Sequence, residues 1–200
     1  MSERYTLILV RHTQTDDNAA RRYSGARERA HLTTLGMCQA ATLATKLQIY
    51  GNKQHQAHKH FTPITLFSSD LERTLHVAAM ISHLHEGVPI IPDKRLREVD
   101  VGQMGGVTKQ DALTRFPGPH FRTEHANWDY TSIGGEDKIT VRQRLRAFVE
   151  DLPTHPFRPR DSKHIIVVSH GTALRTLLEH YGCHDPLHEQ GHFQTLEVNL

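Results

Sequence analysis

The stretch LILVRHT, residues 7–13, decides the fold, because an apolar run typical of a buried β-strand stops at an arginine and a histidine. A second apolar run, IIVV at residues 165–168, stops in the same way at SHGT, residues 169–172. In open α/β sheets, ligands bind beyond the carboxyl ends of the strands. The sequence therefore predicts that His12 and His170 lie at one edge of the same sheet, where chemistry takes place.

The composition is that of a globular chain: 200 residues, 37% hydrophobic and 23% charged, with a formal net charge of +2. This length suits one domain, which we expect to span residues 1–200. The small charge favours neither nucleic acid nor an anionic membrane as a partner, and no apolar run approaches the ~20 residues that cross a bilayer. Residues 1–5 lead directly into a strand without the apolar core of a signal peptide, so we expect a cytoplasmic protein.

Seventeen histidines are many for this length, and three of them lie in the segment GNKQHQAHKH, residues 51–60. The segment is polar and lacks helical apolar spacing, which predicts an exposed loop. Imidazole binds several transition metals, but no carboxylate or cysteine accompanies this cluster. We therefore interpret His55, His58 and His60 as exposed loop residues and expect no metal site there.

Predicted strands and helices alternate along the chain. The strands are expected at about residues 5–10, 64–69, 89–92, 165–169 and 194–200. The helices are expected at about residues 34–47, 71–81 (with Asp70 as its cap), 108–115, 138–152 and from 172 onward. This alternation predicts an α/β fold of three layers, α/β/α, with a mostly parallel central sheet. We expect residues 103–135 to form a small irregular or helical cap that, with the loop 21–29, determines specificity.

Polar residues follow three of the predicted strands. Arg11 and His12 follow the first, Arg73 lies one turn into the helix after the second, and His170 and Gly171 follow the strand that ends at residue 169. Arginine offers planar forks that bind phosphate oxygens in a bidentate manner. A glycine at the start of a helix adds backbone N–H groups that favour an anion. The set predicts two guanidiniums and two imidazoles around a phosphoryl group.

These motifs resemble those of the histidine phosphatase superfamily, the group that contains cofactor-dependent phosphoglycerate mutase. The first motif is RHT at residues 11–13, which resembles an Arg-His-Gly signature. The others are SDLERT at 69–74, the acid segment LREVDVG at 96–102, and SHGTALR at 169–175. Shorter matches are Asn18, SG at 24–25, LTTLG at 32–36 and GGE at 134–136. The matches run in order from residue 7 to about residue 178, and an ordered set is far more specific than one Arg-His pair.

Two threonines depart from the family pattern. Thr13 and Thr172 each stand where a glycine is frequent. A side chain at position 13 hinders close approach of the backbone to a ligand, so the sequence leaves the shape of the pocket open at this point but not the identity of the nucleophile.

The resemblance implies a mechanism in which His12 attacks phosphorus and becomes a phosphohistidine. It implies that Arg11, Arg73 and His170 neutralise the equatorial oxygens, and that Glu98 protonates the leaving alkoxide and later deprotonates the attacking water. Asp100 competes with Glu98 for the acid role, but the motif match favours Glu98. The expected substrate-binding residues are Asn18, Ser24, Gly25, Gly171 and Thr172. No P-loop or metal-ligand spacing is present, so we expect a metal-independent reaction without a cofactor.

Three functions follow from these residues. The first is a phosphomonoesterase of the histidine acid phosphatase type that hydrolyses a small phosphorylated metabolite. The second is phosphoryl transfer of the phosphoglycerate mutase type; the mutases known in this family carry a longer insertion with an arginine pair and a proline run. Here that region offers only the separated Arg115 and Arg122, which favours hydrolysis. The third function is that of a non-catalytic relative that binds phosphorylated ligands. It is placed last because Arg11, His12, Arg73 and His170 are all present.

Overall fold

The computed structural model describes residues 3–27, 29–58 (backbone only for 54–58), 65–123, 126–157, 163–183 and 189–200. Within these residues the chain forms strands that alternate with helices, as predicted. The elements are β1 (Arg4–Arg11), α1 (Asp16–Ala19), α2 (Thr34–His58), β2 (Thr65–Ser68), α3 (Glu72–Leu84), β3 (Ile90–Pro92), α4 (Lys109–Arg115), α5 (Lys138–Asp151), β4 (His164–Ser169), α6 (Gly171–His180) and β5 (Phe193–Asn199).

The described strands form one sheet in the order β3-β2-β4-β1-β5. Strands β1, β2, β3 and β4 pair in parallel, and β5 pairs antiparallel with β1 at the edge. The mostly parallel sheet predicted from the sequence is thus confirmed. In the register of the two central strands Arg11 lies opposite Ser169, so the residues that follow, His12 and His170, leave the sheet side by side.

Helices cover both faces of the sheet. Alternate residues of β1 point to opposite faces, and each set packs against a different pair of helices. Leu7 and Leu9 lie in a core that includes residues of α5 and α6. Ile8 and Val10 lie in a second core formed with residues of α2 and α3. Burial of both faces explains why β1 is a continuous apolar run rather than an alternating one.

The segment 103–135 packs on the first of these cores. It contains α4 and short 3₁₀ turns at Pro119–Phe121 and Thr131–Ile133. Trp128 and Tyr130 are buried there and pack the segment onto this core.

Two local predictions are wrong. Helix α2 continues to His58, so residues 51–58 are helical rather than a loop. Packing of Tyr50 and burial of Gly51 against the second core stabilise this extension, which the polar sequence alone does not indicate. The side chains of His55 and His58, and all of His60, lie outside the described residues. Asp70 does not cap α3, because its carboxylate binds Arg97 and the cap position falls on Leu71.

Among the described residues, no helix combines the length and the apolar character that a membrane span requires.

Candidate active site

The two strand-end histidines lie against each other. The centroids of the His12 and His170 rings are 5.1 Å apart, and the rings meet edge to face at 64°. Both residues are buried, with relative exposures of 5% and 0%. The parallel register of β1 and β4 places them in this position, and the predicted juxtaposition is therefore present.

The His12 ring is held in the form that a nucleophile needs. Its Nδ1 donates a hydrogen bond of 2.7 Å to the carbonyl of Thr13. Because a carbonyl only accepts, the proton resides on Nδ1 and the lone pair resides on Nε2. Burial, followed by the positive charge of Arg73, lowers the pKa of His12 from 6.5 to about 3. The ring is therefore neutral at physiological pH, with Nε2 available to attack.

The His170 ring is oriented by Ser69. The Ser69 hydroxyl lies 2.9 Å from His170 Nε2, and its oxygen accepts a bond of 3.4 Å from the N–H of Leu71. Because a hydroxyl both donates and accepts, this contact fixes the orientation of the ring without selecting its tautomer. Burial, then the charge of Arg73, lowers the pKa of His170 well below its usual value. His170 Nδ1 is buried and has no hydrogen-bond partner among the described residues.

Arg73 is almost fully buried, with 1% exposure, and is held by backbone carbonyls. Its Nη1 donates to the carbonyl of Arg27 at 2.8 Å and its Nη2 donates to the carbonyl of Gly25 at 2.7 Å. Burial lowers the pKa of Arg73 to about 10, which leaves the guanidinium charged at physiological pH. Gly25 has a φ of +55°, and an added Cβ would lie 2.7 Å from a methyl group of Val101. Glycine at position 25 thus allows the turn that fixes Arg73.

Arg11 packs directly against the first residue of α6. A Cβ added to Gly171 would lie 2.9 Å from Arg11 Cζ, so only glycine admits the guanidinium at this distance. Burial lowers the pKa of Arg11, while the negative charge of Glu98 opposes that effect. The guanidinium therefore lies close to both the helix start and the acid segment.

Glu98 lies at the N-terminus of α6, where the helix dipole favours a carboxylate. Its Oε2 accepts a bond from the N–H of Thr172 and its Oε1 accepts one from the N–H of Ala173, both at 3.1 Å. Asp100 is exposed, and its carboxylate accepts instead from the N–H of Gly102 at 2.8 Å. Of the two candidate acids, Glu98 is the one that faces the site.

A cavity of about 340 Å³ brings the predicted site residues together. Nine of the ten line it, and the tenth, His170, lies buried directly behind His12. The lining residues from the prediction are Arg11, His12, Asn18, Ser24, Gly25, Arg73, Glu98, Gly171 and Thr172.

Two of the expected ligand contacts, Asn18 and Thr172, have another role in this structure. The Oδ1 atom of Asn18 accepts from the N–H and hydroxyl of Thr15 at 3.1 and 2.9 Å, so that only its amide nitrogen remains to donate to a ligand. The N–H of Thr172 is bonded to Glu98 rather than directed at a ligand. Thr13 is fully buried and is not among the lining residues; its methyl group faces Gly191. The threonine in place of the signature glycine therefore adds no side chain to the lining of the cavity.

Sequence reasoning missed four cations that line the same cavity: Arg22, Lys109, Arg122 and Arg175. From the sequence, Arg122 and Arg115 are only two separated arginines, which do not indicate a shared binding site. In the structure Arg115 lies over the ring of Phe116 at 5.5 Å, whereas Arg122 faces the cavity. Glu98 is the sole carboxylate among the described lining residues. These cations come from the loop 21–29, the segment 103–135 and α6, so the cavity carries more positive charge than the separated Arg115 and Arg122 indicate.

Among the described residues, no group of three or more His, Cys, Asp or Glu side chains is arranged to hold a metal ion.

The buried neutral histidines predict how stability depends on pH. In the unfolded chain His12 binds a proton below its ordinary pKa of 6.5, whereas in the folded protein it does so only near 3. The unfolded state then holds more protons, so the free energy of unfolding should fall as the pH decreases from 6.5 towards 3. We expect urea unfolding in phosphate-free buffer to show this decline between pH 7 and 5. His12→Gln should reduce the slope by up to about 1 kcal/mol per pH unit.

The control is His83→Gln, a substitution of an exposed histidine on α3, which should change the slope less than His12→Gln. Phosphate must be absent because a bound anion would favour the charged imidazole. An unaltered slope in His12→Gln would show that His12 is not held neutral.

Comparisons with known proteins agree with this geometry. The family model described as "Histidine phosphatase superfamily (branch 1)" matches residues 7–199. The chain is 29% identical over 176 residues to a glucosyl-3-phosphoglycerate phosphatase of Mycobacterium tuberculosis, covering 86% of this chain and 72% of that one. It is 31% identical over 179 residues to a 2,3-bisphosphoglycerate-dependent phosphoglycerate mutase of Rhizobium rhizogenes, covering 86% and 77%.

Solved structures share the fold. "Mycobacterial hydrolase 1" superposes with a TM-score of 0.78 at 24% identity, over 98% of this chain and 92% of that one. A mycobacterial glucosyl-3-phosphoglycerate phosphatase in complex with VO3 superposes with a TM-score of 0.72 at 27% identity, over 88% and 81%. The predicted fold class and the resemblance drawn from the motifs are both confirmed.

Proposed function

Because the chain belongs to the histidine phosphatase superfamily, we propose that it hydrolyses a phosphomonoester through a phosphohistidine on His12. The observation that carries this proposal is the neutral His12 ring, with its free Nε2 in a cavity lined by Arg11 and Arg73. A neutral nucleophile surrounded by fixed positive charge suits phosphoryl transfer, in which catalysis consists mainly of positioning and electrostatic stabilisation.

In the first step, His12 Nε2 attacks phosphorus and the bond from phosphorus to the leaving oxygen breaks. Arg11, Arg73 and His170 stabilise the charge on the equatorial oxygens. Glu98, in its protonated form, gives its proton to the leaving alkoxide, which departs as an alcohol.

In the second step, water attacks phosphorus while the Glu98 carboxylate takes its proton. The bond from phosphorus to Nε2 breaks, its electron pair returns to the imidazole, and inorganic phosphate leaves. Glu98 is protonated again and the enzyme is restored. The hydrogen bonds from the α6 amides hold the carboxyl group of Glu98 in place at the cavity.

The four additional cations extend the proposal to the class of substrate. Two guanidiniums are enough to neutralise one phosphoryl group, and Arg22, Lys109, Arg122 and Arg175 place further positive charge around the remainder of the cavity. The three arginines are held there by bonds to backbone carbonyls, those of Gly106 for Arg22, Phe121 and Phe116 for Arg122, and Thr123 for Arg175. We propose a phosphorylated metabolite whose leaving group carries a second anionic group. The relatives named for glucosyl-3-phosphoglycerate and for phosphoglycerate act on compounds of this type.

The same cations favour a second candidate, phosphoryl transfer between two hydroxyls of one substrate, as in the mutase relatives. A mutase must hold a phosphoglycerate at both ends, and this cavity has charges to do so. Hydrolysis remains the first proposal because the chain lacks the inserted arginine pair and proline run of the mutases known in the family.

The test is an assay with p-nitrophenyl phosphate and 3-phosphoglycerate, measuring free phosphate and 2-phosphoglycerate separately. We expect free phosphate from both substrates and a higher kcat/KM for the phosphoglycerate, because the outer cations bind its carboxylate. Formation of 2-phosphoglycerate without free phosphate would establish the mutase instead.

Matched variants in the same assay test the outer cations. Lys109→Met should lower kcat/KM for 3-phosphoglycerate about tenfold, the loss of one charge-assisted interaction, and change that for p-nitrophenyl phosphate less than about threefold. Arg115→Met is the control, since its guanidinium lies over Phe116. An equal decrease of kcat/KM for both substrates would contradict the proposal that the leaving group carries a second anionic group.

A further inference from the structure

The segment that carries Glu98 is held from outside the cavity by an arginine of α5. Arg144 Nη1 donates to the carbonyls of Arg95 and Arg97, both at 2.7 Å. Its Nη2 donates to the carbonyl of Glu98 at 3.2 Å. One guanidinium thus binds three backbone carbonyls at and immediately before the candidate acid.

Glu136 completes the arrangement. Its Oε1 and Oε2 accept from Arg144 Nε and Nη2 at 2.9 and 3.0 Å, which fixes the guanidinium in a bidentate pair. Oε2 also accepts from the N–H of Asp100 at 2.9 Å, and the N–H of Glu136 donates to the carbonyl of Asp100 at 2.8 Å. The acid segment is therefore bonded on both sides of Glu98.

The glycines before Glu136 allow this contact. A Cβ added to Gly135 would overlap the carbonyl oxygen of Asp100 and lie 2.8 Å from Tyr130 Cβ. A Cβ added to Gly102, which has a φ of +53°, would overlap the carbonyl oxygen of Ile133. The turn at 133–136 and the acid segment therefore touch backbone to backbone. This contact gives a physical reason for the GGE motif, to which the proposed mechanism assigns no role.

We propose that Glu136 and Arg144 are positioning residues that fix the Glu98 carboxyl for proton transfer. Neither side chain lines the cavity, and both are mostly buried, with side-chain exposures of 23% and 16%. A proton donor must lie within hydrogen-bond reach of the leaving oxygen, and a misplacement of about 1 Å can lower a rate by up to about a hundredfold. The inference rests on the proposed role of Glu98.

The leaving group of the substrate provides the test. An alkoxide such as that of 3-phosphoglycerate needs a proton as it departs, whereas 2,4-dinitrophenolate does not. Because kcat/KM reports the steps up to phosphorylation of the enzyme, the two substrates separate proton donation from attack. We expect Arg144→Met to lower kcat/KM for 3-phosphoglycerate about 10- to 100-fold and that for 2,4-dinitrophenyl phosphate less than about threefold.

Two further variants guard against loss of the fold. Glu136→Gln keeps the shape of the side chain. It should lower kcat/KM with the same dependence on the leaving group, but by a smaller factor than Arg144→Met. Arg144→Lys should lower kcat/KM for 3-phosphoglycerate less than Arg144→Met does. Arg146→Met is the matched control on α5, because Arg146 pairs with Glu150 at the surface. Vanadate binding should be unchanged in all variants, since the phosphoryl-binding groups are not altered.

Glu98→Gln, measured in parallel, distinguishes the two claims. If it lowers kcat/KM equally for both substrates, Glu98 is not the acid, and the proposed mechanism and the positioning role both fall. If Glu98→Gln shows the leaving-group dependence but Glu136→Gln and Arg144→Met do not, the positioning role alone is overturned.

Discussion

Replacing Arg73 by methionine is expected to lower kcat/KM for phosphomonoester hydrolysis about a thousandfold while changing the free energy of unfolding by no more than about 2 kcal/mol. The activity falls because Arg73 is the most deeply buried positive charge at the site and lies where the phosphoryl oxygens gain charge. Stability changes little because two effects oppose each other. The carbonyls of Gly25 and Arg27 lose their donors, but a cation whose burial lowers its pKa to about 10 is removed.

Steady-state kinetics, urea unfolding and vanadate binding check this prediction together. The control is Arg95→Met, because Arg95 pairs with Asp93 and Asp151 at 2.7 and 2.6 Å and is not among the residues that line the cavity. It should reverse the pattern, with lower stability and nearly unchanged kcat/KM. Retention of a tenth or more of the wild-type activity in Arg73→Met would show that this guanidinium does not hold the phosphoryl group.

The parts of the site that could be predicted from sequence are those fixed by strand ends. A buried parallel strand is recognisable as an apolar run, and its carboxyl end fixes where the next residue lies. For that reason the sequence alone predicts that His12 and His170 lie at the same edge of the sheet. Arg73 followed from its position one helical turn beyond β2.

Side chains that reach the site from loops could not be predicted in this way. Lys109 and Arg122 belong to the segment 103–135, whose path depends on burial of large side chains such as Trp128 rather than on a periodic pattern. The bonds of Arg144 to the acid segment span nearly fifty residues of sequence. Such contacts depend on how α5 packs on the sheet, which no local pattern specifies.

The two wrong local predictions have the same cause. The polar end of α2 reads as a loop by composition, but tertiary packing extends the helix. Asp70 has the residue type of a helix cap, but its carboxylate binds Arg97 at 2.6 and 2.8 Å. In both places a contact made by distant residues overrides a local preference.

The second large effect is expected at the nucleophile. His12→Gln should lower kcat at least about ten-thousandfold, because the remaining charges cannot replace a covalent step. Vanadate should still bind, since Arg11, Arg73 and His170 remain in place. Activity within about a hundredfold of wild type would mean that water attacks the substrate directly.

The most direct test is to quench the enzyme in alkali during turnover of 2,4-dinitrophenyl phosphate and to locate the phosphoryl group by mass spectrometry. Our account predicts phosphate on His12, stable in base and lost in acid, and none on His12→Gln. Phosphate on any other residue would contradict this account. The absence of phosphate from wild-type enzyme that is quenched while it turns over the substrate would contradict it as well.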